Sequence, residues 1–96
     1  MAMRNSQNIS PNIRLNEGSF SVTFDHNESV ILNLRNNCFH GLNESATFIL
    51  QQLQTGKEIP SVEREFCERY GVTAATARQD VASLCDALRA RSLVTD

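Results

Sequence analysis

With 96 residues and a mass of 10.7 kDa, the chain has room for one domain built around one modest core. Nine Lys and Arg against eleven Asp and Glu leave a net charge of −2, so no field of one sign exists to gather a phosphate backbone. Hydrophobic residues make up 41%, enough for a core, yet no apolar run approaches the ~20 residues of a membrane span.

Residues 1–17 scatter Ile9, Ile13 and Leu15 among Asn, Ser and Pro11, and read as a flexible N-terminal arm ordered only near its end, with residues 18–96 as the domain. No apolar stretch between Met1 and Asn16 resembles a secretory signal. The three cysteines (Cys38, Cys67, Cys85) are odd in number and lack a Cys-x-x-Cys spacing, so structural thiols in a cytoplasmic protein are expected.

From Ser19 the period is two. Phe20, Val22 and Phe24 alternate with Ser19, Ser21 and Thr23, which predicts a half-buried strand with the aromatics in the core. A polar turn, Asp25 to Glu28, leads to a second strand in which Val30, Leu32 and Leu34 form the apolar set against Ser29, Ile31 and Asn33. Arg35-Asn36-Asn37 suits a tight hairpin, because asparagine tolerates left-handed backbone, and a third strand runs from Cys38 to Leu42. At Asn43 the period becomes helical. Asn43 caps a first helix that Gly56 closes, with Ala46, Phe48 or Ile49, Leu50 and Leu53 inward. Pro60-Ser61 opens a second helix, with Val62, Phe66 and Tyr70 inward and Gly71 at its end. Thr73 caps a third helix whose inward row is Ala77, Val81, Leu84, Cys85 and Leu88, fraying near Arg91-Ser92 and leaving Leu93 and Val94 to pack back. The fold class is α+β: a three-stranded antiparallel sheet followed by three helices, winged helix-turn-helix-like in order.

The sequence offers no catalytic constellation. Neither His26 nor His40 has a Ser, Cys and carboxylate set patterned as a triad, and no glycine-rich phosphate loop occurs. Cys38 and His40 share one strand face, but two ligands are too few for a metal site and no second pair is suitably spaced. No enzyme activity, metal or cofactor is expected.

Two readings carry content. Residues 66–93 look like a helix-turn-helix, which would make the chain a small DNA-binding regulator. Against that, Arg78 is the only strong base or phosphate ligand near the start of the third helix, residues 73–96 balance three Arg with three Asp, and no wing follows. A plain packing pair explains the two helices better. The second reading is β-strand addition. Cys38, Phe39, His40, Gly41 and Leu42 carry no Pro, Lys or acidic residue that would discourage pairing, and Gly41 permits close backbone approach. An extended peptide could join this edge with Val81, Leu84, Cys85 and Leu88 walling its pockets. A covering loop or a second copy, giving a homodimer, would satisfy the same edge, and pattern alone leaves these about even.

Two stretches separate them: "VILNLRNNCFHGLNESATFILQQLQTGKEI" and "ERYGVTAATARQDVASLCDALRARSLV". On these, Val22 to Val94 resembles the PqqD-like family, the peptide-recognition domains of ribosomal peptide modification pathways. The family's usual turn glycine is Asn37 here, its paired aromatics correspond to Phe39 and His40, and Ser92 stands where glycine is frequent. The Leu42-Asn43-Glu44 strand exit is similar to that of the stand-alone lasso-peptide members. The resemblance implies a winged-helix-like, non-catalytic protein that captures the leader of a precursor peptide. Such a protein presents the leader to a leader peptidase or other modification enzyme, a separate enzyme forming the macrolactam. It implies main-chain pairing along Cys38–Leu42 and leader side chains on Val81, Leu84, Cys85 and Leu88; Arg78 is expected either to hold a leader carboxylate or to stand solvated.

Overall fold

The structure, a computed structural model, describes residues 13–24 and 27–95. Residues 1–12 of the expected arm, Asp25 and His26 of the expected turn, and Asp96 lie outside the described residues. In chain order the elements are β1 (Arg14–Leu15), β2 (Ser19–Thr23), β3 (Ser29–Asn33), β4 (Cys38–Leu42), α1 (Glu44–Gln54), α2 (Ile59–Tyr70), α3 (Ala74–Ala90) and β5 (Val94–Thr95). The expected α+β order holds: β2, β3 and β4 form an antiparallel meander, and three helices follow.

Capping places the helices where polar side chains can satisfy orphaned backbone groups. Asn43 accepts from the Ala46 N–H at 2.8 Å and Thr73 from the Thr76 N–H at 3.1 Å. Gly71 ends α2 in the left-handed region at φ 66°, its N–H donating to the Cys67 carbonyl at 2.8 Å. The end of α3 is tighter still. Ser92 N–H donates to the Arg89 carbonyl and Leu93 N–H to the Leu88 carbonyl, both at 3.0 Å, which is a Schellman closure with Ser92 at its left-handed position. Asn37 and Ser92, the two positions where the resembled family favours glycine, both adopt φ 57°.

That closure returns the chain to the core. Leu93 is fully buried, and β5 pairs antiparallel with β1, Arg14 opposite Thr95 and Leu15 opposite Val94. Asn16 adds its backbone N–H to the Leu93 carbonyl at 2.9 Å and its side-chain amide to the Ser92 carbonyl at 2.7 Å. Ile13 is 3% exposed and part of the core. The expected arm is therefore anchored from Ile13 onward, because its last apolar residues have the returning C-terminal segment to pack against.

The sheet buries the opposite face from the one its hydrophobicity suggests. Ser29, Ile31 and Asn33 are buried, whereas Leu34 is 71% exposed and Phe20, Val22 and Phe24 are exposed as well. Polar partners decide this. Ser29 and Thr47 share a buried hydroxyl–hydroxyl bond of 2.7 Å between β3 and α1. The Asn33 amide donates to Ser19 Oγ at 2.7 Å, and its carbonyl oxygen accepts from Arg35 N–H at 2.9 Å and Asn36 N–H at 3.3 Å, organising the turn before β4. With these groups satisfied, burying them costs little. The outer face is left to a cross-strand row of Phe20, Leu32 and Phe39.

Beneath the sheet, Ile31 and Leu42 meet Ile49, Leu50 and Leu53 of α1, Val62 and Phe66 of α2, and the full expected row of α3: Ala77, Val81, Leu84, Cys85 and Leu88. Tyr70 is only half-buried, edge-on to Phe48 with ring centroids 5.7 Å apart. Three substitutions test this packing by urea denaturation. Ile31→Ala should cost about 3 kcal/mol, as expected for a fully buried branched side chain. Leu34→Ala, on the face that sequence favours, should cost less than about 0.5 kcal/mol. Ser92→Gly should raise stability by about 1 kcal/mol, since it removes a Cβ from left-handed backbone.

Candidate functional site

The backbone of β4 is bonded on one side. Phe24 N–H donates to the Glu28 carbonyl at 2.7 Å, which makes that pair a bonded rung of the β2–β3 ladder. Bonded and non-bonded rungs alternate in antiparallel pairs, so Val30 and Leu32 turn their main-chain groups to β2, and Ser29, Ile31 and Asn33 turn theirs to β4. Their partners Leu42, His40 and Cys38 are thereby tied to β3. The N–H and C=O groups of Phe39 and Gly41 point the other way, and among the described residues no strand pairs with them. A Cβ on Gly41 would meet nothing within 4 Å, so the outer face of the sheet is open over that residue.

Side chains divide with the same alternation. Cys38, His40 and Leu42 share the helix-side face with Asn33, Ile31 and Ser29, while Phe39 stands on the outer face, 65% exposed. Two clefts flank the strand. One of about 290 Å³ is lined by Asn37, Cys38, Phe39, His40, Gly41 and Arg91. The other, about 230 Å³, is lined by Asn43, Ser45, Ala46, Ile49, Asp80, Ser83 and Leu84. Their shared wall is α3, with Arg91 at its C-terminal end and Asp80 nearer its start. Strand and helix thus run in opposite directions, with one cleft toward each end of the strand. From Asp80 to Arg91 the helix rises ~16 Å, close to the ~13 Å of β4.

The expected site residues sort into three groups. Cys38, Phe39, His40, Gly41 and Leu42 form the edge strand with the bounds the sequence suggests, although Leu42 itself is buried. Of the α3 row, Leu84 lines the second cleft, whereas Val81, Cys85 and Leu88 lie in the core beneath it. Arg78 is elsewhere. It lines a cleft between α2 and α3 with Glu63, Arg64 and Glu68, because at 100° per residue it sits about 120° or more around the helix from Leu84, Asp80 and Arg91. Arg91 is the arginine that lines the cleft beside β4. Its signal was present in the sequence, since it shares a helical face with Asp80 and Leu84, but it falls at the helix end, where pattern reads as fraying.

Chemically the groove offers main-chain donors and acceptors, apolar walls and one charge at each end. The described residues bring together no three His, Cys, Asp or Glu side chains able to hold a metal. Cys38 donates weakly to the Asn36 carbonyl at 3.6 Å. His40 has its pKa lowered from 6.5, first by partial burial and then by the positive charge of Arg91, so it is neutral at neutral pH. An NMR titration of His40 should therefore show a midpoint below 6.5. Arg91→Gln should raise it part of the way back, because burial persists when the charge is gone.

Comparison with known proteins fits this geometry. The family model described as coenzyme PQQ synthesis protein D (PqqD) matches residues 28–94, more than half of the chain. No curated protein sequence matches significantly. Among solved structures, TbiB1 in complex with the TbiA(beta) leader peptide superposes with a TM-score of 0.77 at 25% identity, over 84% of this chain and 93% of that one. A lasso peptide synthetase B1 complexed with the leader peptide superposes with a TM-score of 0.81 at 24% identity, over 90% of this chain and all of that one. The edge strand, the three helices and the returning C-terminal segment up to Val94 all lie within the matched region, and the chain belongs to the PqqD family.

Proposed function

We propose that the chain is a non-catalytic leader-binding protein of lasso peptide biosynthesis, which captures a precursor peptide by strand addition to β4. The observation that carries this reading is the row of open main-chain groups at Phe39 and Gly41, set beside a groove walled by α3. Support comes from TbiB1, a 25% identical protein of the same fold that is solved with a leader peptide bound. The physics is consistent. A disordered leader loses backbone entropy on binding, and a preformed edge offsets part of that cost by fixing one side of every new hydrogen bond in advance.

In this reading the bound leader is presented to a leader peptidase or another modification enzyme in the cytoplasm. A second copy pairing through β4 would compete with the leader for the same edge. DNA binding finds no favouring observation, since Arg78 and Arg64 are balanced in their cleft by Glu63 and Glu68, leaving no net positive charge for a phosphate backbone.

A labelled leader from a precursor encoded beside the gene should bind saturably and lose little affinity as salt is raised, whereas duplex DNA affinity would collapse. Phe39→Pro and Gly41→Pro remove outward donors while leaving the β3 ladder intact, and each should weaken the leader about tenfold or more. Phe39→Ala retains the N–H and should weaken it less. Unchanged affinity in both folded proline variants would exclude β4 as the binding edge.

A further inference from the structure

We infer that the groove selects peptides bearing an aspartate or glutamate, whose carboxylate is received by Arg91 at the Cys38 end of β4; this rests on the leader-binding reading above. Arg91 is the C-cap of α3, exposed, and in no ion pair with a described residue. Arg35 and Arg89 differ, being paired with Glu17 and Asp86. No acidic side chain lines the cleft of Asn37, Cys38, Phe39, His40, Gly41 and Arg91, so its formal charge is positive. That charge is felt across the cleft, where it contributes to holding His40 neutral.

A helix C-terminus would ordinarily repel an anion through its unsatisfied carbonyls. Here the closing turn removes much of that objection. The Leu88 and Arg89 carbonyls are occupied by Leu93 and Ser92 N–H groups, and the Ser92 carbonyl by the Asn16 amide. The other end of the groove has the opposite character. Asp80 is the charged residue of that cleft and also makes no ion pair among the described residues, so an acidic side chain is disfavoured there. The two clefts therefore carry opposite charge, positive beside Cys38 and negative beyond Leu42, with Leu84 and Ala46 offering apolar contact in the negative one.

A guest strand on β4 sends alternate residues to the helix side. The acidic residue and an apolar residue reaching Leu84 must then be separated by an even number of positions. This is a constraint on substrate sequence that main-chain pairing alone does not impose.

The test is a selection of random short peptides by mRNA display against the full chain, run in parallel with Arg91→Glu, Arg78→Glu and Phe39→Pro, each checked for folding by circular dichroism. Peptides enriched by the unaltered chain should share an Asp or Glu at even spacing from an apolar residue. Replacing that acid by its amide should weaken binding about fivefold. Arg91→Glu should enrich Lys or Arg at the same position, and Arg78→Glu should leave the acidic preference intact. Enriched peptides that lose binding to Phe39→Pro yet show no acidic position, or keep it with Arg91→Glu, would overturn the Arg91 subsite while leaving strand addition standing. Peptides that bind Phe39→Pro as well as the unaltered chain, or no enrichment at all, would overturn strand addition and the subsite with it.

Discussion

Strand β4 can satisfy only half of its main-chain groups within the described fold. Its odd and even residues face opposite ways in the plane of the sheet, and β3 reaches one set only. Cys38, His40 and Leu42 are bonded inward; Phe39 and Gly41 depend on water or on another chain. The rest of the fold holds this half-bonded strand in place. Leu42 anchors its end in the core, Asn43 turns it directly into α1, and Asn33 ties down the turn that starts it. Against that fixed strand, α3 runs in the opposite sense and supplies a wall with a different charge at each end.

An added strand would have neighbours on both faces of the sheet. On the helix side it meets His40, Arg91 and Leu84. On the outer side it extends the row Phe20, Leu32 and Phe39, whose side chains are aligned across three strands. The apolar outer face, which looks like a liability in the isolated chain, thus provides part of the surface on which alternate guest residues would rest.

Much of the architecture was legible from residue pattern, and for reasons that are local. Caps and stops at Asn43, Gly56, Gly71 and Thr73 act within a turn of where they stand, and all coincide with observed helix ends. The buried row of α3 follows from helical period alone. The face of β3 was not legible, because three apolar residues stand against a set containing serine and asparagine. Only the tertiary partners Thr47 and Ser19 make the polar set the better one to bury. Arg91 was missed for a related reason. Its place is fixed by the Schellman turn that closes α3, and a serine at the left-handed position gives a weaker signal of such a turn than glycine. Ile13 likewise has a core position only because a distant segment returns to meet it.

The pairing of β1 with β5 has a consequence for how this domain can be linked to others. Arg14 lies opposite Thr95, so the start of β1 and the end of β5 stand side by side. The pairing that joins these two short strands involves neither Phe39 nor Gly41, so it leaves the open edge of β4 untouched. A domain linked beyond Thr95 would share the local concentration of a peptide held on β4 without occupying the edge that holds it.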